Sequence, residues 1–211
     1  MTAAKRSAAL VALVGALGAA VHWLAPLGAL DLGAVRDAHR VALAGAAAAA
    51  RAVTGAGGTH AILAVTAAAA AALLAARRRA DALALAAGVA ATEAAVAGVK
   101  HLVLRARPPA ADAIAHAAGY SFPSGHAAAS LALYAGIAVV LCRGRARMPR
   151  LAIGAATALV LLAIGLSRVL LGVHCPTDVV GGWLLAGAIT LAVGAAREWG
   201  CPYLRAPAAL P

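Results

Sequence analysis

The chain has 211 residues, of which 64% are hydrophobic and 12% are charged, about half the charged share of an ordinary soluble domain. Several apolar runs exceed about 18 residues, the length that crosses a bilayer core, and the charges lie between these runs. This pattern disfavours a soluble helical bundle, which needs a charged face on each helix. The net charge of +11 would suggest nucleic acid in a soluble protein, but here the arginines flank apolar runs, so we expect membrane topology signals and no nucleic-acid partner.

The chain begins with a basic pair, Lys5 and Arg6, followed by an apolar run over residues 7–24. The length of this run predicts a first membrane span. A cleavable signal peptide has the same features and is the alternative interpretation. Cleavage would leave the topology of the following spans unchanged.

Residues 26–58 are less hydrophobic, because six charged or histidine residues interrupt them. The apolar piece between Arg40 and Arg51 has ten residues, which is too short to cross a bilayer. We therefore predict an amphipathic segment on the outer membrane surface between the first and second spans. The glycine-rich sequence GAGG at residues 55–58 is expected to break it.

Five further apolar runs predict spans two to six, over residues 59–76, 80–104, 123–142, 151–171 and 176–196. The basic stretches between spans two and three and between spans four and five indicate cytoplasmic loops, so the N-terminus lies inside. This orientation places 11 of the 18 Lys and Arg residues in the cytoplasm: Lys5, Arg6, Arg77, Arg78, Arg79, Arg143, Arg145, Arg147, Arg150, Arg197 and Arg205. The predicted fold is all-α, with residues 1–211 forming one six-span domain in the cell membrane and both termini cytoplasmic.

Four segments bring polar groups to the same outer membrane depth in this topology. The residues are, in chain order, Lys100 and Arg107, then Ser124, Gly125 and His126, then Ser167 and Arg168, and finally His174 and Asp178. Composition alone does not require this convergence. Polar groups at membrane depth are enriched at functional sites, so the four segments together predict one site.

Three of these residues, Lys100, Arg107 and Arg168, are cations suited to the non-bridging oxygens of a phosphate. The tetrapeptide PSGH at residues 123–126 opens the fourth span, and the N–H groups at a helix N-terminus bind anions. Its serine hydroxyl can donate a further hydrogen bond, and its glycine lets the backbone approach a ligand. These features predict a phosphate-binding site.

His174 and Asp178 are four residues apart, a spacing that places them on one helical face. A carboxylate there orients an imidazole and stabilises its positive charge, as a nucleophilic or general-base histidine requires. His126 comes from another helix, from which it can protonate a leaving oxygen. The pattern predicts attack of His174 on phosphorus, a phosphohistidine intermediate and hydrolysis by water.

No metal or cofactor is expected at this site. Three cations supply the electrostatic stabilisation that a metal would otherwise provide, and the carboxylates are too few and scattered for a two-metal centre. The three cysteines, Cys142, Cys175 and Cys201, have no metal-like spacing and are interpreted as unpaired.

Three stretches resemble the signature motifs of the type 2 phosphatidic acid phosphatase superfamily, and they depart from the pattern nowhere: KHLVLRARP at residues 100–108, PSGH at 123–126 and SRVLLGVHCPTD at 167–178. The resemblance implies a metal-independent enzyme, built as a helical bundle with its site at the extracytoplasmic face. It implies that His174 is the nucleophile, His126 the general acid and Asp178 the partner of His174. The implied ligands of the phosphoryl group are Lys100, Arg107, Ser124, Gly125, Ser167 and Arg168.

The function expected from these features is that of a membrane lipid phosphatase. Its candidate substrates are undecaprenyl diphosphate, which we weakly favour, phosphatidic acid and phosphatidylglycerol phosphate. A lipid-phosphate binder or transporter is a second interpretation, although binding alone would not need both histidines and the aspartate. A vanadium-dependent haloperoxidase shares the motifs but is soluble, whereas a phosphotransferase remains an open alternative. The sequence does not predict the oligomeric state.

Four further polar residues, which the resemblance gives no role, have expectations of their own. Glu93 lies seven residues before Lys100, about two helical turns away, and is expected to face the bundle interior and position Lys100 or a neighbouring helix. A plain structural hydrogen bond is the alternative for this carboxylate. Arg105, Asp112 and His116 are expected to be solvated loop residues above the site, and a role in tuning substrate access is the alternative.

Overall fold

The apolar runs fold as helices, since a helix satisfies its backbone hydrogen bonds internally wherever water is absent. The computed structural model describes residues 3–23 and 25–200, and all regular structure in this part of the chain is helical. Its helices are α1 (Ala3–Trp23), α2 (Ala25–Val41), α3 (Ala47–Gly55), α4 (Thr59–Ala75), α5 (Arg79–Val103), α6 (Gly125–Ser130), α7 (Gly136–Cys142), α8 (Arg147–Leu170) and α9 (Pro176–Gly200).

Four helices in the described residues are long and apolar enough to cross a membrane: α5, α8, α9 over Pro176–Ala196, and α6 and α7 together as Gly125–Cys142. They match predicted spans three to six. Helix α4 qualifies as part of a pair with α3, and the two are bent by 40° at their junction. The described residues therefore form a multi-pass membrane protein with four candidate spans, or five if the bent pair is one span.

The first predicted span corresponds to α1, which packs along α9. Its apolar stretch among the described residues, Val11–Ala20, is shorter than a bilayer requires. The count of six spans therefore stays a prediction.

The predicted surface segment forms α2 and α3, which are joined through a π-helical turn at Ala42–Ala46. Gly45 in this turn has a φ of 124°, a conformation that favours glycine. Both helices pack against α8, and Val35 and Ala50 on their buried faces join clusters with residues that flank the turn before α9. The predicted break at residues 55–58 is confirmed, since α3 ends at Gly55 and α4 starts at Thr59. The location of the segment at the outer membrane surface stays a prediction.

Close packing on α9 positions the segment that precedes α6. A Cβ atom at Gly182 would lie 2.6 Å from the carbonyl oxygen of Ser124, and one at Gly181 would lie 2.5 Å from the ring of Phe122. Only glycine at these positions lets residues 122–124 approach α9 so closely. The amide of Ser124 then donates to the carbonyl oxygen of Asp178 at 2.9 Å, which ties the start of α6 to the first turn of α9.

Candidate active site

Arg107 connects the loop after α5 to the turn before α9. Its Nε donates to the carbonyl oxygen of Gly119 at 2.9 Å, and its NH2 donates to that of Ala118 at 2.8 Å. Its NH1 donates to the carbonyl oxygen of Val173 at 2.7 Å and lies 3.3 Å from Nε2 of His174. Arg107 thus reaches the histidine with a donor, and partial burial lowers the pKa of its guanidinium.

His174 lies between this arginine and a carboxylate. Its Nδ1 is 3.4 Å from Oδ2 of Asp178, and the same oxygen accepts a 2.9 Å hydrogen bond from the amide of Cys175. Arg107 can only donate and Asp178 at neutral pH can only accept, so the proton of a neutral imidazole belongs on Nδ1. The lone pair on Nε2 is then directed away from Asp178, on the side of Arg107.

Burial determines the charge of this imidazole. The side chain of His174 is 3% exposed. Burial lowers its pKa from 6.5 to about 4, against the opposing effect of Asp178 and with a smaller contribution from Arg107 and Arg168. At neutral pH the ring is therefore uncharged, the form in which Nε2 can act as a nucleophile.

Two buried donors at the site have no hydrogen-bond partner among the described residues: the hydroxyl of Ser124 and the Nε of Arg168. Arg168 lies in the last turn of α8, and its NH1 donates to the hydroxyl of Thr54 on α3 at 2.7 Å. Buried polar atoms are almost always hydrogen-bonded, so unpaired donors of this kind are suited to an anionic ligand.

Lys100 and Arg107 lie next to each other. The Nζ of Lys100, near the end of α5, donates to the carbonyl oxygen of Tyr120, and NH2 of Arg107 reaches the same oxygen at 3.4 Å. Two cations therefore converge on one loop carbonyl.

The remaining predicted site residues lie on α6 and α8. Gly125 begins α6, and His126 follows it, half-buried beneath the turn after α3. A Cβ atom at Gly57 in that turn would lie 3.4 Å from the side chain of His126. The hydroxyl of Ser167 donates to the carbonyl oxygen of Ile164 in its own helix at 2.6 Å, so its proton is not directed at a ligand. Its role in phosphate binding stays a prediction.

The structure corrects two expectations from the sequence. Arg105 is not a solvated loop residue, because its side chain is only 10% exposed and contacts two buried carboxylates, Asp31 and Asp178. Glu93 does not face the bundle interior but is exposed. The buried face of α5 contains Val89, Thr92 and Val96, and Glu93 lies at the exposed edge of this face, about 100° around the helix from Thr92 and about 40° from Val89.

The other two loop residues agree with the expectation in part. His116 is exposed, whereas Asp112 lies 3.8 Å from the guanidinium of Arg36 with its side chain partly covered. Asp31 and Thr54 were missed entirely, since nothing in their local sequence marks them as neighbours of the site.

The described part of the chain brings together no group of three His, Cys, Asp or Glu side chains that could bind a metal ion. Cys142 and Cys175 are free thiols, and Cys201 lies outside the described residues. Burial raises the pKa of the Cys175 thiol to about 12, so it is protonated at neutral pH.

Comparison with known proteins gives a consistent assignment. The model of the PAP2 superfamily matches residues 81–199. Phosphatidylglycerophosphatase B of Bacillus subtilis (strain 168) is 35% identical over 92 residues, which are 41% of this chain and 43% of that protein, so the match spans less than half of the relative. The crystal structure of the first transmembrane PAP2-type phosphatidylglycerolphosphate phosphatase from Bacillus subtilis matches with a TM-score of 0.84 at 23% identity. It covers 94% of this chain and 98% of the other, and this likeness shows the fold.

Proposed function

Because this chain belongs to the PAP2 superfamily, we propose that it is a membrane lipid phosphatase that works through a phosphohistidine. The substrate is a phosphomonoester or diphosphate on an amphiphile, whose head group reaches the polar site while its tail stays in the bilayer. The observation that carries the proposal is the environment of His174. Its Nδ1 faces a carboxylate and its Nε2 faces an arginine, which leaves the Nε2 lone pair as the nucleophile.

In the first step, Nε2 of His174 attacks phosphorus and the bond from phosphorus to the lipid oxygen breaks. His126, in its imidazolium form, gives a proton to that leaving oxygen and becomes neutral, and Asp178 stabilises the positive charge that develops on the His174 ring. In the second step, water attacks the phosphohistidine, a proton passes to His126 and the Nε2–phosphorus bond breaks. Inorganic phosphate leaves, and both histidines return to their starting states.

Charge stabilisation in this mechanism comes from Lys100, Arg107 and Arg168, together with the hydroxyl of Ser124. The Nε of Arg168 and the hydroxyl of Ser124, which are buried without hydrogen-bond partners, supply donors for the phosphoryl oxygens. Arg107 lies within 3.3 Å of the attacking nitrogen, so it can bind an oxygen of the same phosphoryl group. Because these groups supply the positive charge, we propose that hydrolysis needs no metal ion.

Phosphatidylglycerol phosphate is the first substrate to test, since the curated relative bears that activity in its name. Undecaprenyl diphosphate and phosphatidic acid stay alternatives, because the apolar residues that would contact the lipid tail do not distinguish between the three lipids. We further propose that the site faces the outside of the cell, on the basis of the basic loops predicted to lie in the cytoplasm.

The test is phosphate release by the detergent-purified protein from each of the three lipids, with EDTA present throughout. We expect release from at least one lipid and its loss in His174→Asn. The variant Arg36→Gln is the matched control, because Arg36 is an exposed cation that lies outside the site. Release that requires an added divalent metal would contradict the mechanism. The absence of release from every lipid, with the protein folded, would favour the binder or transporter. Transfer of phosphate to an added alcohol would favour the phosphotransferase.

A further inference from the structure

Asp178 is fully buried, and each of its oxygens has a separate task. Oδ2 faces His174 and accepts from the amide of Cys175, whereas Oδ1 accepts from NH1 of Arg105 at 2.5 Å. The plane of the carboxylate is thus set from two sides, by the turn before α9 and by the loop after α5.

Arg105 is in turn oriented by a second carboxylate. Its NH2 donates to Oδ2 of Asp31 on α2 at 2.7 Å, and its NH1 also donates to the hydroxyl of Thr177 at 2.8 Å. Asp31 binds Thr177 as well, through the amide at 3.2 Å and through the hydroxyl. The side chain of Asp31 is only 3% exposed, so this cluster is shielded from water.

A planar guanidinium has five N–H donors in fixed directions, so two of its nitrogens can bind two carboxylates at once. Burial by itself would lower the pKa of Arg105, but Asp178 and Asp31 raise it above its ordinary value. The side chain therefore carries a permanent positive charge between two negative ones. Its geometry suits a residue that orients other groups and does not itself contact the substrate.

We propose that Arg105 and Asp31 are positioning residues that orient Asp178, and through it the nucleophilic ring of His174. This inference rests on the proposed function in taking His174 as the nucleophile. It also assigns a role to the segment between the first two predicted spans, since Asp31 comes from α2 and lies 74 residues before the arginine that it binds.

Steady-state kinetics test the positioning role. Arg105→Gln should lower kcat by about 100-fold with little change in KM, because a misplaced nucleophile slows chemistry while the phosphate ligands stay in place. Asp31→Asn should lower kcat less, since Arg105 still reaches Asp178. The double variant should have nearly the kcat of Arg105→Gln alone, because the effect of Asp31 on Asp178 passes mainly through Arg105, with Thr177 as its other contact. Arg36→Gln is the control and should match the wild type.

Proton uptake by the His174–Asp178 pair provides a readout that does not depend on activity. It can be followed through the 15N resonances of His174 in histidine-labelled protein, assigned with His174→Asn. The pH at which the pair is half protonated is the midpoint of this titration. Arg105→Gln removes a positive charge next to Asp178 and should raise the midpoint by about one pH unit or more. Asp31→Asn removes a negative charge and should leave the midpoint at or below that of the wild type. The other charged or titratable groups that act on the pair are unchanged in these variants; they are Lys100, Arg107, Arg168, His126 and Cys175.

Arg105→Lys covers the case in which Arg105→Gln does not fold. A lysine ammonium keeps the charge but cannot bind two carboxylates through two separate nitrogens, so kcat should fall while the midpoint stays near that of the wild type. Wild-type kcat and an unshifted midpoint in Arg105→Gln would overturn the proposal, as would independent, multiplicative losses in the double variant. If the wild type releases no phosphate from any lipid, the proposed function fails by itself. The midpoints of the two single variants then still decide whether Arg105 and Asp31 control the pair.

Discussion

Lowering the pH should destabilise this protein through His174. The unfolded chain protonates this imidazole near its ordinary pKa of 6.5, whereas burial keeps the folded ring neutral down to a pKa of about 4. Between these two values the unfolded state binds one more proton than the folded state, so stability rises with pH across this window. The contribution of the neutral His174 ring to the unfolding free energy is fully present above pH 6.5 and is lost as the pH falls from 6.5 to about 4.

The size of the effect follows from the two pKa values. A pKa unit is worth about 1.4 kcal/mol, so a decrease from 6.5 to about 4 corresponds to about 3 kcal/mol of unfolding free energy. Since the His174 side chain is only 3% exposed, solvent screening does not reduce this figure much. For a protein of this length the loss corresponds to a decrease of about 10 °C in the unfolding temperature.

The assay is thermal unfolding in detergent, followed by tryptophan fluorescence at a series of pH values from 7.5 to about 4, the folded-state pKa. The useful quantity is the difference between the wild type and His174→Asn, because an asparagine does not titrate and groups that do not interact with His174 cancel in the difference. We expect the unfolding temperature of the wild type to fall relative to that of the variant as the pH decreases from 6.5 to about 4. His116→Asn, which changes an exposed loop histidine, should keep the pH dependence of the wild type. Parallel curves for the wild type and His174→Asn would refute the reasoning.

Three further predictions concern the supports of the site and of the bundle. Thr54→Val removes the hydroxyl that binds buried Arg168 at 2.7 Å and should lower kcat/KM by about tenfold in steady-state assays. An unchanged kcat/KM would show that Thr54 does not contribute to the site. Gly172→Ala should lower the unfolding free energy by about 2–4 kcal/mol, measured by thermal unfolding, because φ is +70° and the new Cβ would overlap the carbonyl oxygen of Asp112; wild-type stability would show that the loop can move away. Asp81→Asn should cost about 1–3 kcal/mol, since its side chain is 6% exposed and pairs with two arginines. Asp37 is the control, since its side chain is 71% exposed, and Asp37→Asn should leave the unfolding free energy almost unchanged. Equal losses of stability in Asp81→Asn and Asp37→Asn would contradict the role of burial.

The sequence predicts those features whose cause lies within a few residues. Spans three to six depend on the length and apolar composition of single runs, which the structure confirms as helices long enough to cross a bilayer. The contact between His174 and Asp178 joins residues only four positions apart, as expected, but the two do not share a helical face: Asp178 lies in the first turn of α9 and His174 lies in the turn before it. The break after α3 follows from three glycines in four positions.

Other expectations fail because they depend on which face of a helix its neighbours cover. Glu93 lies at the edge of the buried face of α5, about 40° around the helix from Val89, and neighbouring helices leave that edge exposed. Arg105 looks like one more basic residue in a loop until the fold brings Asp31 to it from a distance of 74 positions. Neither outcome has a signal in the local sequence.

The sequence by itself therefore determines the class of this protein and the chemical groups of its site, since membrane spans and motif spacings are local properties of the chain. Only the tertiary structure decides how these groups are supported. It brings Asp31 from α2 and Thr54 from α3 to side chains that lie far along the chain, Arg105 and Arg168. The physical reason is that a buried charge needs a partner, and the nearest partner in space is set by helix packing and not by distance along the chain.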